Sequence, residues 1–190
     1  MTEKHFSAIS MTSEQWQIWI TDYSDQWFET ADDDDLERAD LTATGLTSPS
    51  AGDDAIARVE ARLGQRLPPS LRSFYQVTDG LLEADAFGER VLSLTEVGWM
   101  RDRYADLLDT WPSSSSDVEP DTLELMRRAL QIGDDDDGAY WLLDPEERTG
   151  DEWVAYAFRT TDGTEPERYD SFATMMFAQR TALDELRNRE

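Results

Sequence analysis

Most catalytic chemistry needs residue types that this sequence nearly lacks. It has no cysteine, one histidine (His5) and one lysine (Lys4). Without cysteine there is no thiol nucleophile and no thiolate metal site. A Ser-His-Asp arrangement would rest on His5 alone, in a terminus that reads as frayed. Lys4 shares that terminus, so it is no candidate for a phosphate-loop or Schiff-base lysine. What remains is carboxylate: 42 acidic residues stand against 17 basic ones, a net charge of −25. Two carboxylates at a fixed separation in a cleft can hydrolyse glycosides, but spacing along the chain does not reveal such a separation. An acidic-site hydrolase is therefore the least favoured reading, and no enzyme activity is expected.

The densest acidic stretch is Asp134, Asp135, Asp136 and Asp137, closed by Gly138. With Gly138 at the sixth position of a calcium loop, Asp135, Asp137 and Asp144 fall at ligand positions, but Gly133 occupies the first. The flanks also read as strands, so the stretch is expected to be a solvated turn with no metal and no cofactor. Tyr140 and Trp141 follow at once, and in a regular strand they point to opposite faces. One of them is then expected on the face that helices leave open. An exposed aromatic beside an acidic turn can anchor a protein partner inside an electrostatic collar. The candidate partner-binding residues are thus Asp134–Asp137, Tyr140 and Trp141, with Glu83 and Asp85 extending the rim. The competing reading is an ordinary turn with both aromatics in the core.

Several elements must position these residues. Ile56, Val59 and Leu63 recur at helical spacing after Asp53 and Asp54, and Gly64 follows where a left-handed residue ends a helix. Pro68 and Pro69 suit the first turn of a second helix carrying Leu71, Phe74 and Tyr75, with Gly80 expected to stop it. Upstream, Thr12 to Gln15 resembles a capping box. Trp16, Trp19, Ile20, Tyr23 and Trp27 then share one helical face, expected to pack onto the domain. Asp32 to Ala51 reads as an acidic linker. Val91, Leu92 and Leu94 suggest a short strand, and Thr95-Glu96 a helix burying Val97, Met100, Tyr104 and Leu107 or Leu108. Trp111-Pro112 and four serines end that helix; Pro120-Asp121 opens another with Leu123, Leu125 and Met126. Leu130–Ile132, Ala139–Leu143 and Trp153–Phe158 read as strands, with turns at Asp134–Gly138 and Pro145–Gly150. Ser171 to Leu186 forms a closing helix. The expected class is α+β: an antiparallel sheet of about four or more strands with helices mainly on one face.

The residues Ile56, Val59, Glu60, Leu63, Gly64, Leu67, Pro68, Leu71, Phe74, Tyr75, Asp79 and Gly80 resemble the opening signature of the SUKH superfamily. Two further blocks agree. One holds Leu130, Ile132, Gly133, Gly138, Tyr140, Leu142, Leu143 and Asp144. The other runs from Asp170 to Met176. Fungal regulators of cell-wall synthesis and bacterial immunity proteins of polymorphic toxin systems make up that superfamily. The resemblance implies a non-catalytic protein-binding domain, foremost an immunity protein that masks the active or substrate-binding surface of a cognate toxin. The alternative it implies is an intracellular adaptor or regulator of the Smi/Knr type. It divides the chain into residues 1–52, an aromatic helix with an acidic linker, and residues 53–190, a SUKH-like domain.

The charge bears on the same question. Nucleic acid and anionic membrane would be repelled, whereas a basic protein partner, such as a toxin domain that attacks nucleic acid, would be steered in. Acidity can equally serve solubility alone. The lack of cysteine and of an apolar leader or membrane-length segment sets the expectation of a cytoplasmic protein.

Overall fold

The structure, a computed structural model, describes residues 9–38, 45–106, 108–109, 119–135, 138–159 and 165–187. Helix α1 (Ser13–Thr30) starts where Thr12 and Gln15 exchange side-chain and backbone hydrogen bonds, the expected capping box. Its apolar face is buried as expected. Trp16 Nε1 donates to the Ser70 carbonyl at 2.8 Å, and its ring meets Trp19, Phe74 and Phe172 at 5.6, 5.4 and 5.4 Å. The acidic run that reads as a linker instead begins helix α2 (Asp33–Arg38). Asp35 N donates to Asp32 Oδ1 at 2.8 Å and Asp32 N to Asp35 Oδ2 at 3.3 Å, so the carboxylates act as reciprocal caps.

Helix α3 (Asp53–Leu63) ends on Gly64, whose φ of 70° is the left-handed conformation expected there. Glu60 Oε1 accepts from Leu67 N at 3.1 Å and so clamps the elbow into helix α4 (Pro69–Tyr75), with Pro68 at its cap. That helix stops at Gln76 rather than at Gly80. Gly80 serves the pairing that follows. With φ at 106° it lies so close to the next strand that a Cβ would sit 3.0 Å from the Val91 carbonyl oxygen. Asp79 Oδ1 accepts from Leu94 N at 2.7 Å, fastening the helical elbow to the sheet side.

The sheet has strands β1 (Arg90–Val91), β2 (Gly98–Trp99), β3 (Leu130–Asp134), β4 (Ala139–Thr149), β5 (Glu152–Arg159) and β6 (Glu167–Tyr169). They run antiparallel in the order β1-β3-β4-β5-β6, with β2 also paired to β3. Alternation along the strands feeds two cores. Ile132, Trp141, Leu143 and Ala155 join α1, α3, α4 and the closing helix α7 (Phe172–Arg187) in the larger one. Leu142 and Phe158 face the other way, toward Met100 of α5 (Met100–Arg103) and Leu125 and Met126 of α6 (Pro120–Arg128). The class is α+β as expected. Most helices lie on one face, and the α5–α6 pair covers part of the second.

Some boundaries differ from the sequence reading. No helix starts at Thr95: the Glu96 carboxylate accepts from Ser93 N and Oγ, closing a turn, and Gly98–Trp99 then join the sheet. The stretch from Pro145 to Gly150 is not a simple turn. β4 continues through it with a register shift between Asp144 and Arg148, and the reversal falls at Gly150, φ 63°. Asp144 lies within this bulge, fully buried, and accepts from Arg128 Nη2 at 2.7 Å and from Glu146 N at 2.9 Å. Leu186, at the end of the expected closing helix, is 45% exposed. Leu107, Trp111-Pro112 and the four serines lie outside the described residues.

Candidate functional site

The β3–β4 turn and the loop from Leu81 to Glu89 meet at the end of β5, and the residue that joins them is Arg159. Asp135 Oδ1 accepts from Ala139 N at 2.7 Å, which closes the turn, while its Oδ2 lies 3.3 Å from Arg159 Nη1. From the other side come Asp85, with Oδ2 at 3.6 Å from Arg159 Nη2, and Glu89, whose Oε1 accepts from the same nitrogen. Gly138, φ 97°, lets the turn reverse tightly enough to bring Asp135 back over β5.

The loop is built around Asp85. Its Oδ1 accepts from Phe87 N at 2.8 Å and Glu89 N at 2.9 Å, so the backbone wraps around a carboxylate that is only 4% exposed. Burial pushes the Asp85 carboxyl up to about 6, against the pull of those N–H groups and of Arg159. Glu83 is also buried, in a left-handed conformation (φ 49°), and its carbonyl accepts from the Tyr23 hydroxyl of α1. Phe87 is the most exposed large apolar residue of the loop, at 66%, and its ring lies 4.6 Å from the Arg159 guanidinium.

These groups border a cleft of about 210 Å³. Asp85, Phe87, Glu89 and Arg159 line it together with Glu165, Glu167, Gln179 and Trp141. Glu89 Oε2 is buried there and accepts no hydrogen bond from any described residue. Among the described residues no group of three or more His, Cys, Asp or Glu side chains is arranged to hold a metal ion. A guanidinium holds the centre instead.

The expected site residues separate into those the cleft uses and those it does not. Asp85 and Asp135 come together on Arg159. Asp134 points elsewhere: its Oδ1 accepts from Arg90 Nε at 3.1 Å and its Oδ2 from Gln131 Nε2 at 3.1 Å. Burial raises its carboxyl, with Arg90 opposing. Asp136 and Asp137 lie outside the described residues. The exposed aromatic expected at Tyr140 or Trp141 is at neither. Trp141 is 1% exposed because it faces the larger core, and Tyr140 packs edge-on against Tyr104 at 5.5 Å on the second face. Phe87 takes that place. Sequence reasoning missed Phe87, Glu89 and Arg159. A signal for Arg159 existed: hairpin register pairs it with Ala139, directly after the acidic turn.

A second concavity, about 500 Å³, lies between α1 and α7, lined by Ile18, Trp19, Phe177 and Arg180 among others. It is apolar and carries none of the expected site residues.

A family model described as the SMI1 / KNR4 family (SUKH-1) matches residues 50–177, which includes the elbow, the whole sheet and the start of α7. No curated protein matches the chain.

Proposed function

The chain belongs to the SMI1 / KNR4 family (SUKH-1), and on that premise we propose that it is a non-catalytic protein-binding domain acting as an immunity protein. In this reading it neutralises a cognate toxin by covering the toxin's active or substrate-binding surface. The observation that carries the choice of partner is the cleft at Arg159. There an exposed Phe87 stands beside Asp85, Glu89, Glu165 and Glu167 on a chain of net charge −25. Enzymes that act on nucleic acid present basic surfaces, and an acidic partner reaches them faster and fits them electrostatically. Asp85, Asp135 and Glu89 are all engaged with Arg159, which opposes their use as free acid or base.

The test is direct. The product of the gene adjacent to this one is purified, mixed with the chain and assayed for toxicity or nucleic-acid cleavage. A stoichiometric complex that abolishes that activity, with association that slows as salt is raised, is the expected result. A neighbour whose activity is untouched at saturating concentrations of this chain would refute the immunity role.

A further inference from the structure

The cleft around Arg159 carries more negative charge than its own cation balances. Among the described residues four carboxylates line it, those of Asp85, Glu89, Glu165 and Glu167, against one guanidinium, and Asp135 reaches that guanidinium from the turn. Glu165 and Glu167 are exposed at the mouth. Glu89 is 2% exposed, and its Oε2 is left without a hydrogen-bond donor among the described residues. A buried carboxylate oxygen in that state is costly unless a donor arrives. Phe87 adds the last component. One face of its ring covers Arg159, and the side chain remains 66% exposed.

We propose that this cleft receives an arginine side chain of the protein partner, seated between Phe87 and the carboxylates of Glu89, Glu165 and Glu167. The chemistry favours arginine over lysine. A guanidinium is planar, stacks on an aromatic face and presents several donors in a fork that suits carboxylate oxygens. Arg159 already makes such a contact with this ring, at 4.6 Å. The incoming group lies beside it as a second guanidinium, with the surrounding carboxylates neutralising the pair. A metal ion fits less well, since no carboxylate cluster of the required kind exists among the described residues. This inference rests on the protein-binding reading above and names the contact that gives that reading specificity.

The probe is N-acetyl-L-arginine amide, titrated into the full-length chain and followed by NMR, with the citrulline analogue as an uncharged control of the same shape. Saturable shifts are expected for signals of Phe87, Arg159 and Gln179 with the arginine compound and not with the citrulline one. Phe87→Ala, at an exposed position, should weaken binding about threefold, the worth of one exposed ring–cation contact. The double variant Glu165→Gln/Glu167→Gln should weaken it further while leaving the melting temperature unchanged. Shifts spread over the whole acidic surface and equal in all variants would overturn the proposal, as would no saturation at Phe87. The two readings fail separately. A chain that neutralises its partner equally well with Phe87→Ala, and ignores the arginine probe, keeps its function and loses this contact. A chain that binds the probe in this cleft but inhibits no partner loses the immunity role alone.

Discussion

Replacing Arg128 by methionine tests how the bulge of β4 is held. Asp144 has no exposed surface, and Arg128 contacts both its oxygens, with Nε at 3.1 Å from Oδ1 and Nη2 at 2.7 Å from Oδ2. Arg128→Met keeps much of the aliphatic stem that packs beneath the guanidinium and removes only the charge and its hydrogen bonds. Among the described residues the Glu146 N–H at 2.9 Å then remains as the one donor to a buried carboxylate. Breaking a buried pair from one side costs about 3–5 kcal/mol. The Arg128 side chain is 33% exposed, so water can enter in its place, and the lower figure of about 3 kcal/mol applies. In a chain of this size each kcal/mol moves the melting temperature by about 2–4 °C, so a fall of about 6–12 °C is expected. Thermal and urea melts followed by tryptophan fluorescence measure it. Adding Asp144→Asn in the same background removes the stranded charge while keeping an acceptor for Glu146 N, and should restore a large part of the loss. A fall below about 2 °C for Arg128→Met, or no recovery in the double variant, refutes the account of Asp144 as a charge that depends on its partner.

The remaining predictions concern other joints of the fold. Asp85 has a folded-state pKa of about 6 against an ordinary 3.8, so its neutral form is the one the fold favours. Its stabilising contribution is full below about pH 4 and is lost as pH rises through 6, with a ceiling near 3 kcal/mol for a shift of about two units. Asp85→Asn should therefore raise stability at pH 7.5 and flatten the difference between pH 5 and 7.5; parallel pH profiles for the two proteins would contradict this. Gly133→Ala places a Cβ 2.8 Å from the Arg90 carbonyl oxygen and 2.9 Å from the Trp141 ring, which should destabilise by about 1–3 kcal/mol in urea melts. Trp16→Ala should cost about 3–5 kcal/mol and lower the single cooperative transition, because that ring lies among Trp19, Phe74 and Phe172. An unchanged transition would make residues 1–52 an independent arm.

The first helix of the elbow was legible because its signals are local. Asp53 and Asp54 at the start, the Ile56–Val59–Leu63 stripe and Gly64 at the end all act within one helix and gave its bounds to the residue. The closing helix was legible for the same reason. The sheet was legible in its three long strands and in part in β1, where Val91 falls in the expected short strand, but not in β2 and β6, which are two or three residues long and exist only through what they pair with. Thr95-Glu96 shows how a helix signal loses to tertiary context: the Glu96 carboxylate is spent on Ser93 and on Arg90 at 2.9 Å. At the site, two of the clustered acids, Asp85 and Asp135, converge on Arg159. Alternation sends Tyr140 and Trp141 to opposite faces, but that Trp141 faces the larger core and that Phe87, 54 positions upstream, is the exposed ring depends on strand register and on the path of the loop.

The alternation of β4 between two cores makes the sheet a partition wall. Leu142 and Leu143 are adjacent in the chain, yet each belongs to a separate interior. Damage done by shortening one should hardly be felt by the other, so their stability losses should sum despite their being neighbours. The compartment behind Leu142, closed by α5 and α6, can then be refurnished by mutation without disturbing the compartment that holds α1, α3, α4 and α7. The surface on that side of the wall can then change in sequence while the elbow and the closing helix keep the molecule standing.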